Sequence, residues 1–226
     1  MTPATLLAGR KAIVFDLDGT LLDTLTDIRE AMSDGLIECG HPALPAGYVL
    51  PNLYGAFPAA LTSMMADRGV PESDYPAVIA AYGRHYEARA HRSSVPYPGL
   101  IAFLEDCRQR GVRLGVCTNK RHAPALQALR QTGILRYFDH VSGCDTVERP
   151  KPDPLPLLQA LQVLGAAPAE GAYLGDTHVD AQTASRAGVP FLYFRSGYGS
   201  PLVHDYPIAA SFDTYAELMA GDEMAA

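Results

Sequence analysis

Short apolar and β-branched runs punctuate the chain at Ala12–Phe15, Val112–Cys117, His140–Ser142, Ala172–Gly175 and Pro190–Phe194. Runs of that length, bounded by turn residues, suit strands buried on both faces of a parallel sheet. Between the later runs the period changes. Ile101–Arg110 carries apolar residues at positions 101, 103, 104 and 107, a helical face closed by Gly111 as a C-cap. Ala123–Thr132 ends at Gly133, Leu155–Leu164 at Gly165, and Asp180–Ala187 at Gly188. Strand, helix, glycine and strand again is the sequence form of a parallel α/β sheet with right-handed crossovers.

Residues 25 to 92 break that alternation. Leu25–Cys39, Leu61–Arg68 and Tyr75–Arg92 have helical patterns, with no strand of the repeating kind between them. The segment returns through Pro96-Tyr97-Pro98-Gly99, a rigid turn. The expected organisation is an α/β core, residues 1–24 and 93–226, with an inserted helical cap, residues 25–92. Helices packed simply on the sheet are the alternative.

Composition changes this picture little. At 226 residues, with 48% apolar and 19% charged residues, the chain is ordinary globular protein long enough to bury a real core. Its net charge of −7 offers no basic footprint for nucleic acid. Cys39, Cys107, Cys117 and Cys144 show neither C-x-x-C spacing nor any zinc pattern. No signal-like stretch and no run long enough to span a bilayer is evident, so a cytoplasmic protein with reduced thiols is expected.

The candidate chemistry sits where the apolar runs stop. Ala12–Phe15 leads directly into Asp16, Leu17, Asp18 and Gly19. A turn in which the aspartates bond their own backbone would explain that pair alone. However, the carboxyl ends of strands are where ligands bind in open α/β sheets, and three later segments match. Thr118-Asn119-Lys120 follows a strand and offers a hydroxyl and backbone N–H groups to an oxyanion. Arg149-Pro150-Lys151-Pro152-Asp153-Pro154 holds Lys151 between two prolines, suiting a fixed point charge. Asp176 and Asp180 stand four residues apart where another strand gives way to a helix. If Asp16, Asp18, Asp176 and Asp180 converge, each close pair repels by about 4 kcal/mol at ~4 Å and an effective dielectric of ~20. A hard divalent cation removes that problem, and carboxylate oxygens are a usual shell for Mg²⁺.

These four segments, in this order, resemble the haloacid dehalogenase-like hydrolase superfamily over nearly the whole chain. The resemblance implies a Rossmann-like core with a mobile helical cap and a Mg²⁺-dependent reaction through an aspartyl-phosphate. It implies Asp16 as nucleophile and metal ligand, and Asp18 as acid/base touching Mg²⁺ through its backbone carbonyl. Thr118, the Asn119 loop and Lys151 would meet the phosphate, and Asp176 and Asp180 would hold the metal. Dehalogenases and phosphonatases lack the second aspartate, so a phosphatase or phosphomutase is expected.

Leu21-Leu22-Asp23-Thr24, Pro96–Gly99, Thr118–Lys120, Lys151–Pro154 and Gly197-Tyr198-Gly199 further resemble the phosphoglycolate phosphatases. The chain departs from them at Asn52-Leu53-Tyr54-Gly55-Ala56-Phe57, which has one glycine where a glycine-rich cap loop is usual, and at His178. The resemblance implies a small phosphorylated metabolite as partner, no nucleic acid, no membrane, and a monomer or homodimer. A β-phosphoglucomutase-like enzyme, a nucleotidase or pyrophosphatase, and a non-enzymatic binding protein are the alternatives. His85 and His91 are expected on the surface of a cap helix and Cys117 in a buried strand; His122 and His178 stand close to motif residues, where a place outside the site is the expected reading and one bordering it the alternative.

Overall fold

The computed structural model describes residues 2–53 and 57–219, the side chains of 57 and 58 excepted. In chain order its main elements are α1 (Pro3–Leu7), β1 (Ala12–Phe15), β2 (Leu22–Asp23), α2 (Leu25–Glu38), α3 (Phe57–Asp67) and α4 (Tyr75–Arg89). There follow β3 (Val95–Pro96), α5 (Leu100–Gln109), β4 (Arg113–Cys117), α6 (His122–Gln131) and β5 (His140–Ser142). The chain closes with α7 (Leu155–Val163), β6 (Gly171–Gly175), α8 (His178–Ala187), β7 (Phe191–Phe194) and β8 (Ala210–Phe212). Among the described residues no helix is long and apolar enough to cross a membrane.

Six of the strands form one parallel sheet in the order β5-β4-β1-β6-β7-β8. Side chains alternate across a strand, so each central strand feeds two cores. Ile13 and Phe15 of β1, with Leu114 and Val116 of β4, pack with Phe103, Leu104 and Leu129 from α5 and α6. Ala12 and Val14 point the other way, among Leu157, Leu161, Ala181 and Ala184 from α7 and α8. That is why β1 reads as a continuous apolar run: all four of its residues are buried. The architecture is Rossmann-like, with helices on both faces, as expected.

Helices α2, α3 and α4 surround a third cluster, in which Ile28, Met32 and Leu36 meet Leu61, Met64, Val78 and Tyr82. The closest approach, α2 against α4, is made at Gly35, where a Cβ would lie 3.0 Å from the Tyr82 backbone nitrogen. The short antiparallel pair β2–β3, with Leu22 opposite Pro96, carries the chain out of the sheet and back. The buried carboxylate of Asp27 on α2 accepts from the Ser93 N–H (3.1 Å) and the Ser94 hydroxyl (2.8 Å), tying exit to return.

Strand β8 and the β2–β3 pair are additions to the expected strands. Tyr54, Gly55 and Ala56 of the loop singled out above lie outside the described residues. The chain runs from β1 to β4 and β5 on one side, and from β6 to β8 on the other. The reversal leaves a crevice at the carboxyl ends of β1, β4 and β6, the place where such sheets bind ligands.

Candidate active site

Asp16, Asp18, Thr118, Asn119 and Asp176 lie just beyond the central strands β1, β4 and β6. Asp16 still belongs to the β-ladder, its N–H donating to the Leu174 carbonyl at 2.9 Å. The chain then folds tightly, with the N–H groups of Leu21 and Leu22 both donating to the Leu17 carbonyl at 3.0 Å. This turn carries the Asp18 carboxylate back beside Asp16. Thr118 follows β4, its N–H bonded to the Ser142 carbonyl. Asp176 follows β6, and Asp180 lies in the first turn of α8. There Asp180 Oδ2 accepts from the Thr177 N–H (3.1 Å) and hydroxyl (2.7 Å), a capping arrangement that fixes the carboxylate.

The structure brings Asp16, Asp176 and Asp180 together: one carboxylate oxygen from each lies within 4.8 Å of the others. Lys151 reaches the same cluster although its loop is distant in sequence. Its Nζ is 2.7 Å from Asp180 Oδ1, 2.9 Å from Asp16 Oδ1 and 3.0 Å from the Tyr173 hydroxyl. The Asn119 side chain is turned to this loop, its amide donating to the Lys151 carbonyl at 3.0 Å. The Thr118 hydroxyl accepts the Lys120 N–H at 3.2 Å.

The four acids separate electrostatically into two kinds. Burial drives the Asp16 pKa up to about 6; Lys151 opposes this and Asp180 adds to it. Burial likewise raises Asp176, with the Asp180 and Asp16 charges in the same direction. Burial also works against ionised Asp18 and Asp180, yet both are held below the usual carboxylate range. For Asp18 the opposing groups are Lys120 and the Thr24 hydroxyl; for Asp180 they are Lys151, Thr177 and Tyr173. Lys151 is buried too, which disfavours its charge, but Asp16 and Asp180 outweigh burial and keep it an ammonium.

A hard cation fits this cluster. Asp16 Oδ1 is buried, and its close polar partner is the Lys151 ammonium at 2.9 Å, off the line of an ideal hydrogen bond. Three carboxylates against one ammonium leave the cluster short of positive charge, which an oxygen-seeking divalent ion supplies. Asp176 is presented by the Thr20 hydroxyl on Oδ1 (2.8 Å) and the Tyr198 N–H on Oδ2 (2.8 Å). Asp180 already receives four donors.

Several residues at the site escaped the sequence reading as individuals. Lys120 is the most consequential: its Nζ lies 2.9 and 3.1 Å from the two oxygens of Asp18 and against the hydroxyl of Tyr86 on α4. Thr24 donates to Asp18 Oδ1 at 2.7 Å and contacts the Tyr198 hydroxyl at 2.7 Å. Lys120, Thr24 and Tyr198 all stand in motifs quoted above, but their partners come from distant segments. Tyr173, holding Lys151 and Asp180, looked like core alone.

His91, expected on a helix surface, is instead buried. α4 ends at Arg89, and the left-handed residues Ala90 and His91 (φ 50° and 59°) turn the imidazole edge-on to Tyr86 at 5.1 Å. Burial and Lys120 together push its pKa down to about 4. His85 is half-buried and pairs with Glu38 at 2.8 Å. Cys117 is buried, as expected. His178 opens α8 and bonds the Ser200 hydroxyl at 2.7 Å.

Known proteins resemble this chain over most of its length. The family described as haloacid dehalogenase-like hydrolase matches residues 13–194. A phosphoglycolate phosphatase of Cereibacter sphaeroides is 36% identical over 208 residues, covering 91% of this chain and 94% of the relative. A plasmid-encoded phosphoglycolate phosphatase of Cupriavidus necator is 36% identical over 191 residues, covering 84% and 83%. The crystal structure of a predicted phosphoglycolate phosphatase from Haemophilus somnus, 24% identical, shares the fold at a TM-score of 0.82, covering 93% of this chain and 97% of that one.

Proposed function

The chain belongs to the haloacid dehalogenase-like hydrolase family as a phosphatase, and we propose that it is Mg²⁺-dependent and hydrolyses small phosphate monoesters, 2-phosphoglycolate first among them, through a phosphorylated Asp16. The observation that carries this reading is Asp16 itself. Its Oδ1 is buried, free of any aligned hydrogen bond, and 2.9 Å from a lysine that stays charged.

Asp16, Asp176 and Asp180, with the Asp18 backbone carbonyl, would hold the metal, which when bound screens the carboxylates and draws charge from the phosphoryl oxygens. Lys151, the Thr118 hydroxyl and the backbone N–H groups after β4 steady those oxygens from the other side. Asp16 attacks phosphorus, its O–P bond forming as the ester P–O bond breaks. Asp18 gives the departing alkoxide a proton, then takes one from the water that cleaves the phospho-aspartate. Lys120 and Thr24 favour the ionised Asp18 that the second step needs; the first step needs its protonated form, which the negative charge of a phosphate bound beside it favours.

Residues 25–92 would act as a cap, closing over the strand ends to exclude water and limit substrate size. The names of the relatives supply the preference for 2-phosphoglycolate. The test is phosphate release from 2-phosphoglycolate, nucleoside monophosphates, hexose phosphates, pyrophosphate and a phosphopeptide, in Mg²⁺ and in EDTA. Small esters should be cleaved only with metal. Full activity in EDTA would remove the metal role, rapid phosphopeptide cleavage the cap role, and a nucleotide preference the substrate.

A further inference from the structure

We infer that Lys120 reads a carboxylate on the leaving group, making the protein selective for phosphate esters of 2-hydroxy acids. This rests on the reading of Asp18 as the acid that faces the ester oxygen. An acid that protonates a leaving oxygen stands within about 3 Å of it. The Lys120 ammonium is 2.9 Å from the nearer Asp18 oxygen, so it lies at most about 6 Å from that ester oxygen. In a 2-hydroxy acid ester the carboxylate is on the adjacent carbon, with its oxygens about 3 Å from the ester oxygen. A carboxylate on the Lys120 side of the ester oxygen is then within salt-bridge reach of Nζ.

The ammonium is also held in place rather than waving in solvent. The Lys120 side chain is 8% exposed and is fixed from both sides of the crevice. Asp18 takes one side; Tyr86 of α4 takes another, with its ring centroid 4.8 Å from Nζ. Tyr86 is in turn stacked on Tyr82 at 5.4 Å and edged by buried His91. An ammonium has three donors; the two Asp18 oxygens and the Tyr86 hydroxyl engage them in this structure, so a ligand carboxylate would bind Nζ by taking over one of the two Asp18 contacts.

Charge makes such a group necessary. A substrate carboxylate entering beside Asp16, Asp18, Asp176 and Asp180 meets like charge on every side. Lys151 is committed to Asp16 and Asp180, and among the described residues Lys120 is the cation that pairs with Asp18 at the leaving-group side. The rival cation is Arg29 on α2. It lines a cavity of about 490 Å³ with Leu25, Asn52 and Tyr198, and bonds the Pro45 carbonyl at 3.4 Å.

The experiment compares 2-phosphoglycolate with 2-hydroxyethyl phosphate, a neutral leaving group of similar size, in the wild type, Lys120→Met, Lys120→Arg and Arg29→Leu. Lys120→Met should lower kcat/KM for 2-phosphoglycolate about 30-fold more than for the neutral ester, mainly through KM. Lys120→Arg should keep most of the selectivity. Equal losses on both esters, with melting temperature unchanged, would show that Lys120 serves Asp18 alone and overturn the inference. A selectivity loss confined to Arg29→Leu would also overturn it. One measurement needs no variant: glycolate should inhibit wild-type cleavage of the neutral ester at least about 30-fold more strongly than ethylene glycol does, and equal inhibition would sink the inference. A wild type that cleaves both esters equally ends the selectivity and spares the phosphatase reading; one that cleaves neither ends both.

Discussion

Gly197 offers a test that needs only one methyl group. The residue lies in the loop after β7, and a Cβ there would fall 2.3 Å from the Gly19 carbonyl oxygen, 2.4 Å from Asp176 Cβ and 2.7 Å from Asp176 Cγ. Its φ is not left-handed, so close approach, not backbone freedom, is what requires glycine. The obstacles are backbone and the root of a buried side chain, which cannot swing aside. Ordinary contact begins near 3.4 Å, so Gly197→Ala must part the loop from Gly19 and Asp176 by about 1 Å.

Two hydrogen-bonded links then fail together. The Tyr198 N–H is pulled from Asp176 Oδ2, now 2.8 Å away. The Tyr198 hydroxyl is pulled from Thr24, which holds Asp18. A displacement of that size at a catalytic constellation costs about 100-fold in rate, whereas overpacking costs about 1–3 kcal/mol in stability. Gly197→Ala should therefore remain folded, with a modestly lower Tm and kcat/KM for 2-phosphoglycolate down about 100-fold at saturating Mg²⁺. The Mg²⁺ concentration giving half activity should rise. Phosphate release and thermal unfolding on one preparation decide it. Activity within about threefold of wild type, at an unchanged Mg²⁺ requirement, would refute the claim that this loop positions Asp176 and Asp18.

Asp16→Asn should leave the fold and Tm near wild type while turnover drops below about 1% of it, because an amide is no nucleophile here; higher activity in protein free of other phosphatases would remove Asp16 from that role. Metal and pH should be linked. Asp16 and Asp176 have raised pKa values in the folded, metal-free site, so their contribution is fully present below about 4 and is lost as pH rises, for Asp16 through about 6. Mg²⁺ competes with those protons, so the Tm gained on adding it should be small at pH 5 and grow toward pH 7. Asp18 and Asp180 are shifted downward and lose their stabilising effect only as pH falls below that window. A gain independent of pH would place the metal elsewhere.

Much of the fold was legible because burial on both faces writes itself into the chain. Ala12–Phe15 and Leu114–Cys117 read as strands since neither face meets water, and their ends stood out because charge or hydroxyl follows at once. β8 escaped because only Phe212 of its three residues is buried. The β2–β3 pair escaped because two residues per strand have no period. His91 misled because the helical pattern runs on past Arg89, whereas the chain turns left-handed at Ala90 and folds the ring inward.

The site was legible as a set of acids, not as a set of charges. Nothing in the spacing of Asp16, Asp18, Asp176 and Asp180 says which should favour its proton. That division is made by two lysines from different loops. Lys120 reaches Asp18 from the end of β4; Lys151 reaches Asp16 and Asp180 from the segment before α7. Asp180 wins the closer contact and two further donors from Thr177, and stays ionised, while Asp16 keeps an oxygen without a hydrogen bond. A nucleophile whose oxygen is already claimed by donors would have to give one up before attacking. Tyr173 packs beneath both Lys151 and Asp180, and the lysine's shortest contact is to Asp180, 2.7 Å against 2.9 Å to Asp16. A tyrosine that looked like core in the sequence thus bonds both members of the closer pair, while the Asp16 oxygen is left unspent.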